Sequence, residues 1–130
     1  MIPLPQTGTL SPHIVGEVVY YGFPALEALP FVRHGFSTRL GGVSTGIYES
    51  MDLGTTRGDE PGHVRENYRR FFAAIGADAD SIAMSNQIHS DLVRPVTCAD
   101  VKRDLYDVEP YEVDGLVTDI PGVSLVVFGA

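Results

Sequence analysis

His89 is the residue around which chemistry is most readily built, within the stretch Asn86-Gln87-Ile88-His89-Ser90. A neutral imidazole on a fixed backbone is a competent metal ligand or general base. Apolar residues lead into the stretch (Ile82, Ala83, Met84) and away from it (Leu92, Val93, Pro95, Val96), so an extended strand is expected there. Period-2 alternation then puts Gln87 and His89 on one face, ~7 Å apart along the strand. Both side chains donate and accept hydrogen bonds. A lone strand histidine is, on its own, more often an ordinary structural residue, and the rest of the chain has to decide.

A second candidate is the loop Arg39-Leu40-Gly41-Gly42-Val43-Ser44-Thr45-Gly46. Glycines at 41, 42 and 46 imply unusual dihedrals or a close approach of the backbone to something else. Gly42-Val43-Ser44-Thr45-Gly46 fits the G-x-S-x-G pattern of a nucleophile elbow, which needs a strand before it and a helix directly after. The next residues, Gly46-Ile47-Tyr48-Glu49-Ser50, have no helical apolar face, so a serine hydrolase is poorly supported. There is no Gly-Lys-Ser/Thr and hence no P-loop. The better reading uses the loop's N–H groups, with Arg39 beside them, as a cradle for an anion or a ribose hydroxyl, and a plain glycine-rich turn is its alternative. His13, His34 and His63 form no recognisable metal spacing with His89, and Cys98 reads as a small hydrophobe or free thiol.

The supporting elements are read from pattern. Met1 to Pro12 reads as an extended arm that also leads to His13, and Val15–Phe23 and Phe31–Thr38 read as strands. Pro24–Pro30 is a short connection with a helical turn around Leu26. Asp59-Glu60-Pro61 opens the clearest helix, with Asp59 as cap and Pro61 in the first turn. Val64, Tyr68, Phe71, Phe72 and Ile75 share one face, and Gly76 closes it. Cys98–Tyr111 is an acidic connection without calcium-loop spacing. Val113–Thr118 and Val123–Phe128 are apolar segments joined across a Pro121-Gly122 turn of type II, and the last is expected to be a strand buried on both faces.

Size and composition bound the rest. A chain of 130 residues with 44% hydrophobic residues can form one domain with a real core. No apolar run reaches the ~18 residues of a membrane span, and the N-terminal stretch lacks the pattern of a secretory signal. The net charge of -8 opposes general nucleic-acid binding. One cysteine excludes an internal disulfide framework and fits a cytoplasmic location. The fold class expected is α/β (α+β type), with mixed β-sheets layered against the helix from Asp59 to Ala77.

Taken together, His34-Gly35-Phe36-Ser37-Thr38-Arg39-Leu40-Gly41-Gly42-Val43-Ser44 resembles the opening motif of the laccase-domain proteins, known both as multicopper polyphenol oxidases and as purine nucleoside phosphorylases. The likeness continues through Leu53-Gly54, Val64-Arg65-Glu66-Asn67, Gln87-Ile88-His89-Ser90, Val113 to Asp119 and Pro121-Gly122-Val123. Several ordered motifs make it specific where each alone would be weak.

The resemblance implies an enzyme with one zinc held by two histidines and a cysteine. His89 matches the first histidine. The family's cysteine belongs to an Ala-Asp-Cys motif that would begin at Ala130, with the second histidine further on, and Cys98 does not match it. Residues 1–130 are therefore expected to be a single, C-terminally truncated domain, the N-terminal half of the family's, and inactive unless another polypeptide completes the zinc site. Arg39, Ser44, Gln87 and Asp114 match positions near the family's pocket and are expected to bind substrate. The implied reaction is phosphorolysis of adenosine or inosine to the base and ribose 1-phosphate, with adenosine deamination by a zinc-activated water as a companion. Copper-dependent phenol oxidation belongs to the same family but needs more histidines than the four present. A non-catalytic module that binds a nucleoside or a protein is the alternative.

Overall fold

Gly16 and Glu17 form a two-residue turn, with Gly16 at φ +59°, that folds the N-terminal sequence back on itself. It joins β1 (Ser11–Val15) to β2 (Val18–Gly22) as an antiparallel hairpin in which His13 faces Tyr20. The Val15–Phe23 strand expected from sequence ran through this turn; a glycine with an accessible positive φ takes precedence over flanking β-branched residues. His13 accordingly sits in a strand and not in an arm. The computed structural model describes residues 10–109 and 111–129, so most of the predicted arm lies outside the described residues. The chain divides into two compact units, Met1–Ala77 and Asp78–Ala130.

In the first unit, Pro24–Glu27 forms the expected helical turn, α1. The strand predicted over Phe31–Thr38 contracts to β3 (Phe36–Ser37), which pairs antiparallel with β2. Upstream of it His34 Nε2 accepts the Phe23 N–H at 2.7 Å, a side-chain bond that takes the place of a ladder there. A 15-residue helix, α2 (Pro61–Ile75), supplies most of the core of this unit. Its stripe buries Val64, Tyr68, Phe71 and Phe72, and Phe71 meets the β2 ring of Tyr20 edge-on at 6.3 Å. Gly76 ends it at φ +76°, as expected of a C-terminal glycine. Its N-cap is Glu60, not Asp59, and no side chain caps it; Asp59, one residue earlier, accepts the Ser44 hydroxyl on Oδ2 and the Glu60 N–H on Oδ1.

The second unit is built from two parallel pairs. β4 (Ile82–Ala83) runs beside β7 (Ser124–Leu125), and β5 (Val93–Pro95) beside β6 (Gly115–Val117). Ile82, Ala83, Met84 and Val96 form its buried apolar centre. Gly122 at φ +84° occupies the position a type II turn requires, and the Val123 N–H closes the turn on the Ile120 carbonyl. Small mixed sheets and helices make the α+β class expected. The terminal strand differs from expectation: β7 pairs over two residues, and Val127 and Phe128 are 59% and 48% exposed. Among the described residues only β4 pairs with β7. No helix among the described residues is long and apolar enough to cross a membrane.

Candidate functional site

The loop of the first unit is held from inside. The Arg39 carbonyl accepts the Ser50 and Met51 N–H groups, each at 2.9 Å, and the Ser50 hydroxyl at 2.7 Å. This cinches residues 39–51 at their base and leaves the Arg39 side chain exposed, with no partner among the described residues. The loop's amides, by contrast, are occupied. Gly42 N–H donates to Ser50 Oγ, Val43 N–H to Asn67 Oδ1 at 2.8 Å, and Ser44 N–H to the Ser50 carbonyl at 3.0 Å. The anion cradle expected from sequence is thus closed at these three amides by the protein's own acceptors. Gly42 has to be glycine here: a Cβ would lie 2.1 Å from the Ser50 oxygen.

Ser44 is 3% exposed, and its hydroxyl donates to Asp59 Oδ2 at 2.5 Å while accepting from Asn67 Nδ2 at 2.9 Å. The Ser44 hydroxyl is the main cause that holds the Asp59 carboxyl below its ordinary pKa, with the Glu60 N–H and nearby His63 acting the same way. A carboxylate with a lowered pKa is a poor base, and a buried hydroxyl is a poor nucleophile. The G-x-S-x-G pattern therefore marks a structural serine, and a short 3-10 turn (Gly46–Tyr48) comes after it in place of a helix. Asn67, fully buried, completes the network by donating to the Asp52 carbonyl at 2.8 Å. Sequence reasoning gave Asn67 no role. Its signal was there: it falls three residues after Val64 and four before Phe71, a polar residue on an apolar stripe, and such residues are buried only with partners.

His89 belongs to the second unit, with Gln87 and Asp114. Its backbone is not the extended strand expected: φ is +63°, the one positive value at a non-glycine among the described residues. The strand-like pairing stops at Asn86, which bridges to Glu112, and the chain then turns, so Gln87 and His89 do not share a strand face. Such a conformation costs about 1–3 kcal/mol at a non-glycine and persists where the surroundings over-determine it. Asp114 supplies that determination. Its Oδ1 accepts the His89 N–H at 2.9 Å, and its Oδ2 accepts the Ile88 N–H at 3.2 Å, the Ser90 N–H at 2.6 Å and the Ser90 hydroxyl at 2.8 Å. These donors, the Ser90 N–H foremost, hold the Asp114 carboxyl down at about 2. Gln87 is also bound to backbone: its Oε1 accepts the Phe128 N–H at 2.9 Å and its Nε2 donates to the Phe128 carbonyl at 3.2 Å. It ties down the chain three residues beyond the end of β7 with a side chain.

The imidazole itself is exposed and has no partner among the described residues. It is therefore free to donate a lone pair to a metal or accept a proton, on a turn whose geometry is fixed. His13 bonds Glu27, His34 accepts from Phe23, and His63 lies 3.6 Å from Glu60. Among the described residues no group of three His, Cys, Asp or Glu could hold a metal ion. The described residues do not by themselves fit a zinc site. Cys98 is exposed at the start of a short 3-10 turn (Cys98–Asp100), as the free-thiol reading expected.

Residues 33–130 match the family model described as multi-copper polyphenol oxidoreductase laccase. The chain belongs to this family. Within the family, it is 39% identical over 107 residues to a protein of Deinococcus radiodurans named purine nucleoside phosphorylase, a match that covers 82% of this chain and 38% of that protein. An Escherichia coli protein named purine nucleoside phosphorylase YfiH is 43% identical over 61 residues, 47% of this chain and 25% of its own. In structure it is similar to YlmD from Geobacillus stearothermophilus, with a TM-score of 0.72 and 27% identity over 90% of this chain and 43% of that one. The chain thus spans about two-fifths of the length of the Deinococcus relative.

Proposed function

We propose that this chain carries the first zinc-ligand turn of a purine nucleoside phosphorylase, with inosine or adenosine and phosphate as substrates and adenosine deamination as a companion activity. The observation that carries the proposal is the His89 imidazole, free and exposed on a turn that four hydrogen bonds to Asp114 hold at φ +63°. The names of its relatives support the reaction class, and zinc comes from the resemblance. His89 is one ligand, and the remaining donors come from outside the described residues.

Within this reading the chain's own side chains divide in two. Arg39, with an exposed guanidinium, suits a phosphate oxygen, since an arginine fork matches phosphate geometry. Ser44 is bonded to the Asp59 and Asn67 side chains, and Gln87 and Asp114 hold backbone, so the three do not offer free donors or acceptors in quantity. The test is product formation. Protein purified from the complete gene, given inosine and phosphate, releases ribose 1-phosphate and hypoxanthine, and His89→Ala abolishes the release. Failure of the wild-type protein to form either product, with the fold intact, would overturn the proposal.

A further inference from the structure

We propose that Asp114 is a positioning residue for His89, and that it does not contact the nucleoside. The inference rests on the reading of His89 as a ligand but concerns how the imidazole is aimed. Three consecutive amides, at 88, 89 and 90, converge on one point, the arrangement that elsewhere binds anions. Here the anion is built in. The Asp114 carboxylate fills the point, and the Ser90 hydroxyl adds a fourth donor. A carboxylate offers about four acceptor positions, so little is left for a substrate hydroxyl or ring nitrogen.

Main-chain bonds make the strap rigid on the Asp114 side. The Asp114 and Gly115 N–H groups both donate to the Leu92 carbonyl, at 3.2 and 3.1 Å, just where β6 begins to pair with β5. The turn is therefore fixed at its Leu92 end to the start of β6 and at its Asn86 end to the Tyr111 carbonyl. Its one non-glycine residue with a positive φ is His89, whose Cβ then leaves the backbone in a direction no extended strand would give. A neutral amide at position 114 cannot replace the carboxylate. It has one oxygen for four donors, and its NH2 group would face N–H groups.

The test is hydrogen exchange and NMR on protein from the complete gene. In the wild type the amides of Ile88, His89 and Ser90 exchange slowly, and His89 gives the strong intraresidue amide-to-Hα Overhauser effect of a positive φ. In Asp114→Asn that effect is lost and exchange at the three amides rises by about tenfold or more, the size expected for losing charge-assisted hydrogen bonds. The amides of the first unit keep their rates; a residue of merely general structural importance would raise exchange throughout the second unit instead. Should Asp114→Asn unfold the second unit, Asp114→Glu, which keeps the charge and adds one methylene, gives the same local loss. Either folded variant keeping the positive φ and the slow exchange would overturn the proposal. Titration of metal-stripped protein from the complete gene with zinc chloride, where all the proposed donors are present, separates the two readings. If wild-type His89 ring signals ignore zinc while the amide result holds, the ligand reading fails and the positioning stands.

Discussion

Replacing Asn67 by alanine is the sharpest perturbation of the first unit. The side chain is fully buried and makes three hydrogen bonds, from the Val43 N–H to Oδ1 and from Nδ2 to Ser44 Oγ and the Asp52 carbonyl. Each neutral bond contributes about 1 kcal/mol net, and the partners left behind lie too deep for water to replace it fully, so the loss is about 3 kcal/mol. With a urea slope of about 1.5 kcal/mol per molar, the midpoint falls by ~2 M. Far-UV circular dichroism tracks the transition, because α2 is the longest helix described. Asn67→Asp keeps the shape but removes both donors and sets a charge beside two oxygens, so it should be no better tolerated. A midpoint shift below ~0.5 M for Asn67→Ala would refute the claim that this residue holds the loop.

Gly42→Ala places a Cβ 2.1 Å from the Ser50 carbonyl oxygen and 2.6 Å from Met51 Cα, backbone that cannot yield cheaply; thermal melting should show a drop of several degrees, and an unchanged melting temperature would contradict the packing described. A fluorophosphonate probe should leave Ser44 unmodified, as judged by peptide mass spectrometry, because its hydroxyl is buried and bonded to a weakly basic carboxylate; stoichiometric labelling would restore the hydrolase reading. Asp100 is held down at about 2 against an ordinary 3.8, first by the Tyr111 hydroxyl, then by the Thr97 N–H and by Arg94. A folded-state pKa below the unfolded one contributes stability that is complete above about pH 4 and is lost as the pH falls toward 2. Acid titration of Asp100→Asn should therefore show a shallower loss over that window than the wild type, and identical acid curves would contradict the bonding around Asp100.

The parts of the molecule that were legible in the sequence are those set by strong local rules. α2 was readable from Val64, Tyr68, Phe71 and Phe72 at helical spacing and from Gly76, and the Pro121-Gly122 turn from its dipeptide. Residues whose backbone is set by distant side chains were not. His89 looked like a strand residue because its neighbours are apolar and alternating, and the carboxylate that bends the chain there lies 25 residues on, at Asp114. Asp59 had every local mark of a helix cap, yet the helix starts one residue later than such a cap requires, and the Asp59 carboxylate bonds the Glu60 N–H and Ser44, 15 residues before it. Likewise, a glycine-rich loop reads as open to an anion until Asn67 and Ser50 are seen bonded to its amides. Gln87 and Asp114 were expected near a pocket, and nothing in their local sequence shows that Gln87 bonds the Phe128 backbone or that Asp114 bonds the backbone around His89.

Whether His89 is a zinc ligand is decided by the zinc content of the protein from the complete gene, measured by plasma mass spectrometry after exhaustive dialysis. The wild type is predicted to hold about one zinc per chain, and His89→Ala to lose most of it with the fold preserved. Full zinc retained by His89→Ala, or catalytically competent wild-type protein free of zinc, would contradict that role.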